Sequence, residues 1–352
     1  MSPLLFSLFL NDLNDELGGG LLINGKRIRV LLYADDIALI SDSPVGLQYM
    51  INNLERYCEM WNLKVNLDKS KIMVFRNGGK LAGCEKWTFK NEQIECVNRY
   101  KYLGVVLTPT LNFEAHLKEK SDKAKLAVNL AWRGLLNSDN IDFTAKCKWF
   151  KACARAVLCY GAQVWGYRQY DTVEKFQRFF IKKVFSLPIN TPNYMLFIET
   201  ELSPLFEYCL RLHYNYITKV MEMKEGRLPR FLVEEVIKKR VFWFKDWRKL
   251  CNDIGISYND NINWSNKFKK ILSGLGIIHR DKFLQDAQAG HFHSLYRSLN
   301  LQLGENNYIK RNNCDLWVMR WVFKARGELI DLNYKPWVSD RNYTCSMYID
   351  RA

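Results

Sequence analysis

No stretch of the 352 residues approaches the ~20 apolar positions that a membrane-spanning helix needs. The apolar run Leu4 to Leu10 follows no basic stretch and is ended by Asn11-Asp12, which makes it a poor secretion signal. Ten cysteines are scattered without a single Cys-x-x-Cys pair; with no secretion signal they are expected to be reduced, intracellular thiols. His291-x-His293 has no cysteine or carboxylate at ligand spacing, so no zinc site is expected there. Internal repeats and low-complexity tracts are absent. Acidic residues are few: 37 Asp and Glu stand against 52 Lys and Arg, a net charge of +15 that favours a polyanionic partner. Apolar residues, at 48%, are plentiful enough for two or three domains with cores. Aromatics reach 14%, with 11 Trp, and a basic and aromatic mixture suits nucleic acid, although many of these rings must be core.

The most informative feature is Tyr33-Ala34-Asp35-Asp36. It lies between the short apolar runs Ile28-Arg29-Val30-Leu31-Leu32 and Ile37-Ala38-Leu39-Ile40, both of which read as strands. Two adjacent carboxylates at a strand–strand turn repel each other unless a cation neutralises them. Mg²⁺ suits the task, because it takes oxygen ligands and leaves positions open for substrate phosphates. Alternation along a strand predicts that Tyr33 and Asp35 share a face. Asp35 is the stronger candidate ligand and Asp36 its companion, in a two-metal site that would join nucleotides. An isolated Asp-Asp pair is ordinarily a solvated turn, so the flanks decide.

Upstream, Ser2-Pro3 opens a helix through Leu4-Leu5-Phe6-Ser7-Leu8-Phe9-Leu10-Asn11-Asp12 that should stop at Gly18-Gly19-Gly20. Asn24-Gly25 is a strong hairpin signal. Downstream, Ser43-Pro44 opens a second helix, with Leu47, Met50, Ile51, Leu54, Tyr57, Cys58 and Trp61 on one stripe. Asn66-Leu67-Asp68-Lys69-Ser70 precedes a strand expected at Lys71 to Phe75, and Tyr100 to Leu107 gives another. These segments, in this order, resemble the reverse transcriptase of LINE-type (non-LTR), jockey-like retrotransposons. The Ser2-Pro3-Leu4-Leu5-Phe6 to Asn11-Asp12 stretch resembles the end of the family's template-grip motif, and Tyr33 to Asp36 its catalytic box. Asn66, Lys69 and Ser70 resemble the next palm motif; Tyr102, Leu103 and Gly104 resemble the primer grip. Tyr160-Gly161-Ala162-Gln163-Val164-Trp165-Gly166 and Thr191-Pro192-Asn193 resemble segments beyond the thumb, so the likeness runs along nearly the whole chain.

The resemblance implies an α+β fold: part of a right-hand polymerase palm, an antiparallel sheet with helices over residues 1–108, then a helical thumb-like region at 109–190 and a basic helical region at 191–352. It implies RNA-directed DNA synthesis with Mg²⁺, an RNA template, a DNA primer and deoxynucleoside triphosphates, and no membrane. Lys69 would face the departing pyrophosphate, and Lys118, Lys120, Lys123 and Lys125 would contact phosphates, though a lysine run is as often a solvated helix face. In this family the first metal-binding aspartate stands upstream of the template grip, where this sequence starts. The expectation is therefore a truncated, catalytically incomplete polymerase with an open sheet edge beside the catalytic hairpin, or a non-catalytic nucleic-acid-binding remnant. Two basic and aromatic clusters, Lys238 to Lys249 and Lys267 to Lys270, are expected to pack a small helical core while offering bases for RNA. Asn342 to Tyr348 resembles the start of a Cys-x-x-Cys zinc motif, with Tyr348 in place of the second cysteine. One thiolate cannot hold a structural zinc.

Overall fold

Turn chemistry shapes the first hundred residues. The computed structural model describes residues 3–256, 264–299, 301, 307–310 and 315–330, so Asn342 to Tyr348 lies outside the described residues. The chain divides into two compact units, Met1–Phe113 and Glu114–Ala352. In the first unit the expected opening helix is split into α1 (Pro3–Phe9) and α2 (Leu13–Glu16). The break falls at Leu10 to Asp12, where Asn and Asp favour turns over helix. Gly18, Gly19 and Gly20 then all take positive φ. Asn24 and Gly25, at φ 42° and 80°, close the hairpin of β1 (Leu21–Ile23) on β2 (Lys26–Ile28). β3 (Val30–Tyr33) pairs with β4 (Asp36–Leu39) around the turn Ala34-Asp35.

The helix α3 (Pro44–Met60) is the spine of this unit. The Ser43 side chain accepts a hydrogen bond from the Gly46 N–H, and Pro44 occupies the first turn. Met50, Ile51, Leu54, Tyr57 and Cys58 are buried as their spacing requires; Trp61, just past the helix end, stays 41% exposed. They meet Leu10, Leu13 and Leu17 of the opening segment and Trp87, Phe89 and Ile94 of β5 (Thr88–Phe89), β6 (Glu92–Gln93) and the residues beside them. Gln48 brackets Thr88 with both ends of its amide, and Glu55 accepts from the Lys90 N–H, so α3 holds that hairpin by backbone bonds. Lys71 to Phe75 does not form the expected strand. Only an isolated parallel bridge, Ile72 to Cys96, is made, because the partner backbone passes it for one residue pair. The last hairpin is β7 (Tyr100–Tyr102) on β8 (Val105–Leu107). Among the described residues the strands form four separate two-stranded sheets, not one palm sheet.

The second unit is helical: α4 (Glu114–Leu130), α5 (Phe143–Trp149), α6 (Arg155–Leu158), α7 (Ala162–Trp165), α8 (Asp171–Val184), α9 (Asn193–Thr200), α10 (Leu205–Met221), α11 (Leu228–Lys239), α12 (Trp243–Asp253), α13 (Trp264–Ala289), α14 (Ser294–Ser298), α15 (Asn307–Lys310) and α16 (Leu316–Arg326). A π-helical turn, Phe150–Ala154, joins α5 to α6. Most of the expected aromatic core forms: Tyr214 stacks on Phe268 at 4.1 Å, and Trp247 meets Phe268 edge-on at 4.8 Å. Two buried carboxylates are matched by donors. Glu199 takes Arg326 in a forked pair and the hydroxyls of Tyr296 and Tyr308. Glu174 accepts the Phe206 N–H at 2.8 Å at the start of α10. No helix among the described residues is long and apolar enough to cross a membrane.

Two predictions test this packing. A β-carbon on Gly20, at φ +99°, would sit 2.7 Å from the Ile28 carbonyl oxygen. Gly20→Ala is expected to lower the unfolding free energy of the first unit by about 2–3 kcal/mol in urea titration, from backbone strain and overlap together. His213, 1% exposed, lies among the rings of Tyr167, Tyr214, Trp243 and Trp247, with Nδ1 2.7 Å from the Gln163 carbonyl oxygen. Burial pulls its pKa from 6.5 down to about 4. Above pH 6.5 the ring is neutral folded or unfolded, and its packing contributes in full. As pH falls from there towards 4 the unfolded chain takes the proton first, so the second unit loses about 3 kcal/mol. His213→Gln is expected to flatten that slope between pH 4 and 7 in urea midpoints; an unchanged slope would place the titration elsewhere.

Candidate functional site

The acidic turn is built by register. With Tyr33 opposite Asp36, only Ala34 and Asp35 lie outside the ladder. Directly opposed residues of an antiparallel pair project to the same face. Tyr33 therefore shares its face with Asp36, and the expectation that it pairs with Asp35 is corrected; Asp35 stands at the tip. Both carboxylates are exposed, as are Leu31, Leu32 and Tyr33 beside them. Ala34 takes φ +52°, a left-handed conformation that costs a β-carbon residue about 1–2 kcal/mol. The base of the hairpin is fixed from behind, where Val30, Ile37 and Leu39 pack on the α3 core.

The Lys69 segment is a turn held by its own side chains. The Asn66 amide oxygen accepts from the Lys69 N–H at 3.2 Å, and the Ser70 hydroxyl donates to the Asn66 carbonyl at 2.9 Å. Lys69 itself is exposed. The Tyr100 hydroxyl donates to the Lys69 carbonyl at 3.3 Å. Tyr100 and Tyr102 alternate along β7 and project to one face. The Tyr102 phenol is pushed up by burial first, then by the charge of Asp36. One short strand thus anchors the Lys69 turn through Tyr100 and carries, at Tyr102, a phenol that the Asp36 charge helps to push up. Leu103 and Gly104, at φ 46° and 78°, form the turn that follows. Tyr100 was missed as a site residue, although its two-residue spacing from Tyr102 is a signal that the sequence carries. The Tyr57 hydroxyl is a second buttress, donating to Asp12 at 2.6 Å; burial and then Asp12 push its pKa up.

The donor set suits Mg²⁺ in kind, being hard carboxylate oxygens at an open turn. In number it is one hairpin's share. Among the described residues no group of three or more His, Cys, Asp or Glu side chains could hold a metal, whereas a two-metal centre takes carboxylates from more than one strand.

The four lysines of α4 divide. Lys118 is exposed; Lys123 and Lys125 are exposed beside Glu119 at 2.9 Å and Asp122 at 3.7 Å. Lys120 is 9% exposed, with its ammonium 4.2 Å from the centre of the Tyr160 ring, and is removed from the phosphate-contact set. In the second cluster Lys267 is likewise buried, leaving Lys269 and Lys270 outside.

Comparison with known proteins agrees with the motifs. Residues 1–107 match the family described as reverse transcriptase (RNA-dependent DNA polymerase). The RNA-directed DNA polymerase from mobile element jockey of Drosophila funebris is 27% identical over 177 residues, covering 47% of this chain and 18% of that protein. The probable RNA-directed DNA polymerase from transposon BS of Drosophila melanogaster is 28% identical over 174 residues, covering 47% and 19%. The chain thus spans under a fifth of the length of these relatives, and it resembles jockey-like non-LTR reverse transcriptases over about half of its own.

The link between β7 and the acidic hairpin is checked by ultraviolet titration of the tyrosines. Asp36→Asn is expected to lower the Tyr102 pKa, but not back to its ordinary value, because burial is the larger cause. No change would separate the two hairpins.

Proposed function

We propose that this chain carries the acidic hairpin and primer-positioning strand of an RNA-directed DNA polymerase of the non-LTR kind, acting on an RNA template, a DNA primer and deoxynucleoside triphosphates. The observation that supports this best is the hydrogen bond from Tyr100 of β7 to the Lys69 turn, within the family-matched residues that also carry the acidic hairpin. In the reaction a primer 3′-hydroxyl oxygen bonds to the α-phosphorus as the bond to the β-phosphate breaks, and pyrophosphate leaves. Mg²⁺, when bound, would neutralise the reacting phosphates and lower the pKa of the hydroxyl. Asp35 and Asp36 would hold it, with phosphate oxygens and water completing its shell. Lys69 would meet the charge of the leaving pyrophosphate, and its turn, fixed by Asn66 and Tyr100, would keep it in place. Tyr102, Leu103 and Gly104 would seat the primer end. Residues 1–108 are read as palm, 109–190 as a thumb-like region with Lys118, Lys123 and Lys125 as backbone contacts, and 191–352 as a basic helical region.

Because Asp35 and Asp36 are one hairpin's share of ligands, we infer that these 352 residues alone do not synthesise DNA and that a second strand must supply the remaining carboxylate. The test is primer extension on RNA with Mg²⁺, beside Mn²⁺ binding. No extension is expected. Asp35→Asn and Asp36→Asn are each expected to weaken Mn²⁺ binding at least about tenfold. Extension that vanishes in Asp35→Asn would overturn the incompleteness; unchanged Mn²⁺ affinity would overturn the metal role. A second reading, a non-catalytic nucleic-acid-binding protein, is favoured by the net charge of +15. It predicts salt-dependent RNA retention that neither aspartate affects.

A further inference from the structure

The turn between α11 and α12 holds an aromatic ring in water among cations. Lys238, Lys239, Arg240, Lys245, Arg248 and Lys249 are all exposed. The only carboxylate in this stretch, Asp246, is taken by Arg168 at 3.0 Å, and Lys239 leans on Glu235 at 3.7 Å. The surface is therefore positive with little internal compensation. At its centre Phe242 is 59% exposed, whereas Phe244 and Trp247, on the helix it leads into, are 1% and 2% exposed. The rings that follow it in the chain enter the core, yet this ring is outside. The backbone keeps it there: Arg240 has φ 53° and Phe242 has φ 48° with ψ −134°, a combination natural to glycine and strained for any residue with a β-carbon. A single exposed ring is unremarked on most surfaces. An exposed ring on strained backbone, ringed by unneutralised cations, gives folding no return.

We propose that the α11–α12 turn is a stacking platform for an unpaired nucleic-acid strand, with Phe242 taking the face of a base and Lys238, Arg240 and Lys245 holding the flanking phosphates. A ring stacks only on a base whose face is free. A duplex offers phosphates but no faces, so the single strand is the partner that uses both features. An anionic membrane would use the charge, but it binds a helix through a row of apolar side chains, and here there is one. The platform belongs to the second unit and needs no synthesis.

The test is fluorescence anisotropy of the full chain with a labelled oligoadenylate of about a dozen nucleotides, a duplex of equal length, and anionic vesicles. Phe242→Gly relaxes the strained backbone, so thermal stability is expected to hold or rise, while single-strand affinity falls about 5- to 150-fold, the range for losing one stacked base. Phe242→Trp restores binding, and duplex affinity is unmoved by either change. Lys238→Gln, Arg240→Gln and Lys245→Gln together weaken single strand and duplex alike and flatten the salt dependence. The proposal is overturned if Phe242→Gly leaves single-strand affinity intact, if it weakens the duplex equally, or if it acts only on vesicle binding. A fall in thermal stability with Phe242→Gly would make the ring a packing residue and overturn it as well.

Discussion

A turn of two residues governs the geometry of the acidic site. Because the hairpin closes with only Ala34 and Asp35 outside the ladder, the neighbouring carboxylates are sent to different places, one to the tip and one to the face that Tyr33 occupies. Side-chain direction alternates strictly along a strand, so a slip of one residue would exchange them. The ladder is short and its flanking residues are exposed, so register is held at the base, by Val30, Ile37 and Leu39 on the α3 core. Anything that loosens α3, including its Ser43 cap or the Tyr57 to Asp12 bond, would reach the aspartates through that base.

The second unit solves a different problem, that of placing late chain segments. Glu199 is buried and would be costly alone, but Arg326, Tyr296 and Tyr308 each give it a donor from a different helix or its flank. Such a group adds little net stability over an apolar replacement. Its effect is selective: only one arrangement of α9, α14, α15 and α16 satisfies all four. Glu174 does the same for the entry of α10.

How much of this was legible follows from how local each cause is. The Ser43-Pro44 cap with its apolar spacing, the Asn24-Gly25 turn and the acidic hairpin were readable because each is decided within a few residues. The split of the first helix was signalled by Asn11-Asp12 and outweighed by the glycines after it. Lys120 was not readable, because its position depends on the distant Tyr160 ring. Nor was the single bridge at Ile72, which depends on Cys96. The partners of Glu199 stand up to 127 residues away, beyond the reach of any periodicity. The family motifs named Tyr102, yet its companion Tyr100 becomes a site residue only when β7 is seen lying against the Lys69 turn.

Strain sharpens the functional reading, provided that it is weighed with chemistry. Left-handed backbone at Asn24, Asn62 and Asn91 needs no explanation, since asparagine enters that region at little cost. At Ala34 and Phe242 it does, because neither side chain offers a local hydrogen bond to offset the strain. Both stand on exposed turns, and both adjoin charge: two carboxylates at one, a group of cations at the other. A sequence under selection for stability alone would place glycine at each. Keeping alanine limits the freedom of the acidic tip, and keeping phenylalanine presents a ring. Leu103 and Leu111 are strained in the same way, but only at Ala34 and Phe242, among these four, does the strain adjoin a cluster of like charges, which is what the proposed metal and nucleic-acid contacts would use.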